Sequence, residues 1–247
     1  MLAILRLLFN YWKRSYSWIF SFIFPLLTLF IFKTFTPVQT LLPNFLISAA
    51  LSNGVFGLAI TYADLKNSVI MKKIRATPLP QWKVVGGVIT FNTLLSLLAS
   101  GWVFLMGSVF YHSEIVFSSI NWFYLILAVL LATLLGSLIG FFLGSVSPDL
   151  RTAGNLAFFI NTPSNFLAGI FVPMDILLKN QTLSRIAKFS PYSYPASIAN
   201  QAFSHHSPLP IQGSLLFLTY HWPIIFCLVW ISGLFLLNLL VYRLQKY

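Results

Sequence analysis

Residues 64–83, DLKNSVIMKKIRATPLPQWK from Asp64 to Lys83, carry Lys66, Lys72, Lys73, Arg75 and Lys83 against one acid, Asp64. Uncharged apolar runs flank the stretch, from Leu42 to Tyr62 before it and from Val84 to Tyr111 after it. Five of the chain's 15 Lys and Arg residues therefore crowd into one polar break between two apolar blocks. A break of this kind reads as a cytoplasmic loop between two membrane spans.

The rest of the composition agrees. The 247 residues are 58% hydrophobic, 17% aromatic and only 8% charged, with a mean hydropathy of +0.84. Soluble domains carry about 25% charged residues. A chain this poor in charge has no polar surface to offer water, so the bilayer is its solvent and the expected class is an all-α polytopic membrane protein. In a soluble protein, a net charge of +11 would point to nucleic acid. Here the bases sit in the breaks between apolar runs, which is the pattern of positive charge held on the cytoplasmic side, and no nucleic-acid partner is expected. Cys227 lies in an apolar run, so neither a disulfide framework nor a Cys-based metal site is expected.

At the amino terminus, Leu2, Leu5, Phe9, Trp12 and Tyr16 recur at steps of three and four, beside Arg6 and Lys13. Residues 1–14 thus read as an amphipathic interfacial helix or an extension of the first span, retained rather than cleaved. Spans are expected at about 17–35, 42–62, 84–111, 122–146, 152–172 and 215–241, forming one transmembrane domain over 1–247. Lys33 is expected to reach for the interface. Gly136, Gly140 and Gly144 clear one face of the fourth span for a close helix neighbour, either inside the subunit, the simpler reading, or in another copy. In the fifth span, Asn155, Asn161 and Asn165 should face protein or a water-filled pathway rather than lipid.

Residues 173–213 form a long external or re-entrant segment, in which Asp175 can cap a short helix bearing Ile176, Leu183 and Ala187. His205 and His206 are adjacent and poorly placed to share a metal ion. With both termini inside, the inner breaks hold Arg6, Lys13, Arg14, the five bases of 64–83, Arg151, Arg243 and Lys246, and the outer ones only Lys33, Lys179, Arg185 and Lys188. That asymmetry favours a cytoplasmic location for both termini.

No chemistry for catalysis is apparent. The four acids fall in separate breaks, no GxxxxGK[ST] phosphate loop exists, and no ionisable residue lies mid-span to couple transport to an ion gradient. The chain is therefore expected to bind no cofactor and to be no enzyme; a transporter built this way must take its energy from another chain. Within 64–83, Asp64 and Asn67 can start a helix that Pro78 and Pro80 must end. Ile70, Met71 and Ile74 share one face of it, with Lys72, Lys73 and Arg75 turned elsewhere. Such a helix can seat an apolar ridge in a partner's groove, or lie on anionic lipid.

The stretch IRATPLPQWKVVGG from Ile74 to Gly87 resembles the segment before the third span of type-2 ABC exporter permeases. Residues 163–198 also resemble that family. Ala168-Gly169 is followed by Phe171-Val172-Pro173, and then by Ser190-Pro191-Tyr192-Ser193-Tyr194. The resemblance covers essentially the whole chain. It departs from the family where a second proline often follows Pro173, since Leu177 and Leu178 stand there. It departs again where a base often follows the Pro-Tyr motif, since Asn200 and Gln201 stand there. Neither departure encourages transfer of substrate specificity.

The resemblance implies a permease half in a bacterial inner (plasma) membrane, paired with a second copy or a paralogue. It further implies two ATP-binding subunits, which hold ATP and Mg and dock on a coupling helix carrying Ile70, Met71, Lys72, Lys73, Ile74, Arg75 and Pro78. The external segment with Gly169, Phe171, Pro173, Pro191 and Tyr194 would help close an outer gate. A drug, peptide antibiotic or lipid-linked cargo suits the few intramembrane charges. A non-transporting membrane scaffold or immunity-like protein is the alternative from another class.

Overall fold

The structure, a computed structural model, describes residues 9, 22–34, 37–68, 81–172, 180–203 and 221–244. The described residues are helical with no strand. In chain order the helices are α1 (Phe24–Lys33), α2 (Val38–Asn67), α3 (Gln81–Phe110), α4 (Trp122–Val146), α5 (Leu150–Leu167), α6 (Gln181–Phe189), α7 (Ser193–Phe203) and α8 (His221–Leu244). Among the described residues, four helices are long and apolar enough to cross a membrane: Val38–Asn67, Val85–Phe110, Trp122–Val146 and His221–Val241. Residues 1–8 and 10–21, the coupling residues Ile70, Met71, Lys72, Lys73, Ile74, Arg75 and Pro78, and Pro173, Asp175, His205 and His206 lie outside the described residues.

α2 is the axis of the bundle. Its most apolar window is 72% buried, against 11% for α8, so α2 is enclosed by protein while α8 turns most of its surface outward. Outward-facing Ile225, Leu228, Val229, Leu236 and Leu240 on α8 have apolar side chains that suit lipid. α3 runs antiparallel to α2: Ser100 Oγ donates to the Leu46 carbonyl at 3.1 Å, and Asn92 Nδ2 to that of Gly54 at 3.3 Å. The Asn92 bond has a local cause. Residues Asn53–Gly57 form one π-helical turn inside α2, and such a turn disturbs the regular carbonyl pairing. A side-chain amide from the neighbouring helix supplies a donor there.

α4 packs on the same stretch of α2 through its glycines. A Cβ on Gly140 would lie 2.5 Å from the Gly54 carbonyl oxygen and 2.7 Å from that of Val55. On Gly136 it would lie 2.8 Å from the Leu51 oxygen, and on Gly144 2.7 Å from the Ala59 oxygen. The glycine stripe therefore serves packing inside the subunit, backbone against backbone. α8 joins α4 through Asn238, whose Nδ2 donates to the Leu138 carbonyl at 2.9 Å.

Two starts differ from the sequence expectation. Asp64 and Asn67 do not open a helix; they form the last turn of α2, which Ser68 caps. The Asn67 amide donates to the Pro148 carbonyl at 2.6 Å, a tertiary acceptor that a capping preference cannot foresee. The helix bearing Leu183 and Ala187 is capped by Asn180 rather than Asp175, the Asn180 Oδ1 accepting from the Thr182 and Leu183 amides at 3.0 and 3.3 Å. At the start of α5, Asp149 accepts from the Thr152 amide at 2.7 Å, and that bond holds its carboxyl below the usual carboxylate range.

Candidate functional site

The bundle has two chemically distinct ends. At one, α2 leaves at Ser68, α3 starts at Gln81, and the Ser147-Pro148-Asp149 turn links α4 to α5. The described residues on either side of the sequence break, Ser68 and Gln81, thus lie at this same side. At the other end lie Lys33, the 111–121 turn and the segment 180–203. There Lys33 Nζ pairs with Glu114 at 2.6 Å and sits 3.9 Å above the Tyr111 ring. Lys33 therefore meets a protein acid and an aromatic ring. Gln39 Nε2 donates to the Glu114 carbonyl at 3.0 Å, closing the same corner.

Beneath this second end, α2, α5 and α7 are joined by a buried polar network. Asn161 donates through Nδ2 to Ser52 Oγ at 2.9 Å and accepts on Oδ1 from the Tyr192 hydroxyl at 3.2 Å. Asn165 Nδ2 donates to the Asn161 carbonyl at 2.9 Å. The Asn165 carbonyl accepts the amides of Ile170 and Phe171 at 3.2 and 3.3 Å, which turns the chain back after α5. That reversal passes through Gly169, buried and at φ 79°, a left-handed conformation that a residue with a Cβ adopts only at a cost of about 1–2 kcal/mol. The Gly169 carbonyl accepts from Asn44 Nδ2 at 3.3 Å, and Asn44 Oδ1 accepts from Asn200 Nδ2 at 2.5 Å. Burial pushes the Tyr192 phenol far above its usual range, so it remains a protonated donor.

Phe171 fills the space under this turn. Its ring stacks on Phe32 at 5.7 Å and meets Phe45 and Phe166 at 5.6 and 5.2 Å. Pro191 begins the turn into α7. Tyr194 donates to the Lys188 carbonyl at 2.5 Å and stacks on Phe226 of α8 at 5.5 Å. The structure thus gathers Gly169, Phe171, Pro191 and Tyr194 about one corner of the bundle, with Asn161 and Asn165 beside them. Asn155 stands apart, exposed on the outer face of α5 with Phe158 and Phe159. Asn44 and Ser52 enter only with the structure, while Tyr192 and Asn200 appear in the sequence only as a motif member and a departure from the family pattern. The signal for Asn44 and Asn200 was the same as for Asn161: a costly amide amid apolar neighbours.

A family model described as ABC-2 type transporter matches residues 1–203. The chain belongs to the ABC-2 type transporter family. As such it is the membrane permease subunit of an ABC transporter, a multi-pass membrane protein whose family works with an ABC ATP-binding subunit, and its part is transport rather than catalysis. No curated protein and no solved structure matches the chain. For an ABC-2 type transporter, an amide network that ties segment 180–203 to α2 and α5 sets how firmly that corner is held.

Replacing Tyr192 with Phe removes one hydroxyl and leaves the Asn161 Oδ1 without its donor. A loss of about 1 kcal/mol is expected, since hydrogen bonds between membrane helices average below that and buried orphaned acceptors cost somewhat more. Asn161→Leu orphans both the Tyr192 hydroxyl and Ser52 and should cost about twice as much. Thermal unfolding of the purified chain in detergent measures both; equal stability of all three proteins would show that the network contributes nothing.

Proposed function

We propose that this ABC-2 permease subunit is an exporter half, with six spans and both termini cytoplasmic, that pairs with a second copy or a paralogue. Two ATP-binding subunits, carrying ATP and Mg, dock on a helix within residues 68–77 and drive the pathway between the permease halves to open outward. ATP does this by stabilising one of two global states. The corner with Gly169, Phe171, Pro173, Pro191 and Tyr194 acts as the external gate. An amphipathic or lipophilic cargo such as a drug, a peptide antibiotic or a lipid-linked glycan fits spans without mid-span charge.

One observation carries this reading beyond the family match. The helix ends that bound the basic break in the sequence, Asn67 of α2 and Gln81 of α3, lie at the bundle end that also holds Lys66 and Arg151. Along α8, Tyr194 stacks on Phe226 near its start and Asn238 bonds to α4 near its end, so α8 also terminates toward that side. In the sequence the bases of that break add to Lys66 and Arg151, and such an excess is what a cytoplasmic face that meets a soluble motor would carry.

The test is to co-express the chain with an ATP-binding subunit and purify the complex into proteoliposomes. ATPase activity is then measured against a panel of amphipathic drugs and peptide antibiotics. Co-purification with ATPase stimulation by at least one class supports the proposal. A chain that retains no ATP-binding subunit under mild detergent, and moves no compound on adding ATP, refutes it.

A further inference from the structure

Lys66 is read from the sequence as one more base of the loop, available to a partner or to lipid headgroups. The structure gives its charge another destination. Its Nζ donates to the Ser145 carbonyl at 2.8 Å and to the Ser147 carbonyl at 2.9 Å. These are carbonyls of the last turn and C-cap of α4, where the helix has no further amides to satisfy them and where the helix dipole places partial negative charge. One residue on, Asn67 reaches the Pro148 carbonyl. Three hydrogen bonds from the last turn of α2 therefore grip the α4–α5 turn. The helices are also in backbone contact just above it, at Gly144 and Ala59.

We infer that Lys66 is the positioning residue that carries displacement of the 69–80 loop into α4 and α5. This inference rests on the proposal that the loop receives the ATP-binding subunits. Ser68 is the point at which the loop is tied to α2, and both its amide and its Oγ donate to the Leu65 carbonyl, so force on the loop is applied to a closed helix turn two residues from Lys66. A charge-assisted, two-acceptor contact is short-ranged and directional, and so transmits movement rather than letting the two helix ends slide. From Ser147 the path continues through Pro148 and Asp149 into α5, which carries Asn161 and Asn165 at the opposite end of the bundle. A single clamp thus links the loop to the helix that holds the external corner.

The test uses the full chain in complex with its ATP-binding subunit. Cys227 is replaced by Ala, and Ser164→Cys on α5 serves as the reporter. The rate of maleimide labelling is compared without nucleotide and after trapping with MgATP and vanadate. In the reporter parent, trapping changes the rate. In Lys66→Met the change should fall at least fivefold while the ATP-binding subunit still co-purifies, and Lys66→Arg, which keeps the donors, should restore at least half. If Lys66→Met is not recovered as folded protein, Lys66→Gln, whose amide keeps the reach but not the charge, is read the same way. A full trapping response in the Met or Gln variant overturns the inference alone. A purely structural role would lower thermal stability but leave the trapping response of recovered protein intact, which also overturns it. A parent with no response to trapping overturns the proposal that the ATP-binding subunits drive the bundle through this loop, and the inference with it.

Discussion

Gly140→Ala is expected to lower the stability of the chain by about 3 kcal/mol, the upper part of the range for overpacked sites. Gly101→Ala, by contrast, should leave it unchanged or slightly raise it. The added atom is the same single methyl in both. At Gly140 it would meet the carbonyl oxygens of Gly54 and Val55 at 2.5 and 2.7 Å, and Leu58 Cβ at 3.1 Å. Backbone carbonyls of a buried helix cannot rotate aside as a side chain can, so α2 and α4 must separate along their contact. At Gly101 nothing lies within 4 Å, and alanine is the better helix former by up to about 1 kcal/mol. Because α2 is the buried axis, separation at Gly140 also disturbs the packing of its neighbours. Thermal unfolding in detergent, followed by size-exclusion chromatography, measures the pair. Equal melting of the two variants would show that the close approach of α2 and α4 does not hold the bundle together.

That contact shows where sequence reading succeeds and stops. The four-residue spacing of Gly136, Gly140 and Gly144 makes a smooth face legible, because helical periodicity is local. What the face meets is not local. Gly54 lies more than eighty positions earlier, inside a π-helical turn that helical periodicity does not mark. The same divide separates the asparagines. Asn155, Asn161 and Asn165 look alike in sequence, yet Asn161 and Asn165 are buried and bonded while Asn155 is exposed, since a helix presents only part of its circumference to the bundle. Lys66 shows it most plainly. Its place among four other bases suggests a shared task, but its register on the last turn of α2 aims it at the end of α4. Asn67 and Asn180 add that a residue suited to capping caps only where no better acceptor or donor competes.

Ile74→Asp is expected to abolish substrate-stimulated ATPase activity of the complex, a loss of tenfold or more, while membrane insertion stays normal. The reason lies in the sequence of the break itself. Ile70, Met71 and Ile74 fall at spacings that place them on one face of a helix between Asn67 and Pro78, and a ridge of that kind binds by burying apolar surface in a partner's groove. A carboxylate in the middle of the ridge would have to be desolvated without a partner, which costs more than the side chain contributed. Tenfold corresponds to only about 1.4 kcal/mol, well within the reach of one buried, unpaired charge. Insertion should be spared because α2 and α3, the apolar helices that flank the break, are untouched. Lys72→Ala and Lys73→Ala supply the contrast: charges that guide encounter are screened by salt, so their effect should be several-fold smaller and should fade as ionic strength rises. Stimulation that survives Ile74→Asp but is lost in the lysine variants would move the docking contact from the apolar ridge to the charges. Stimulation unchanged in all three would place the entry point for ATP-driven movement outside residues 69–80 altogether.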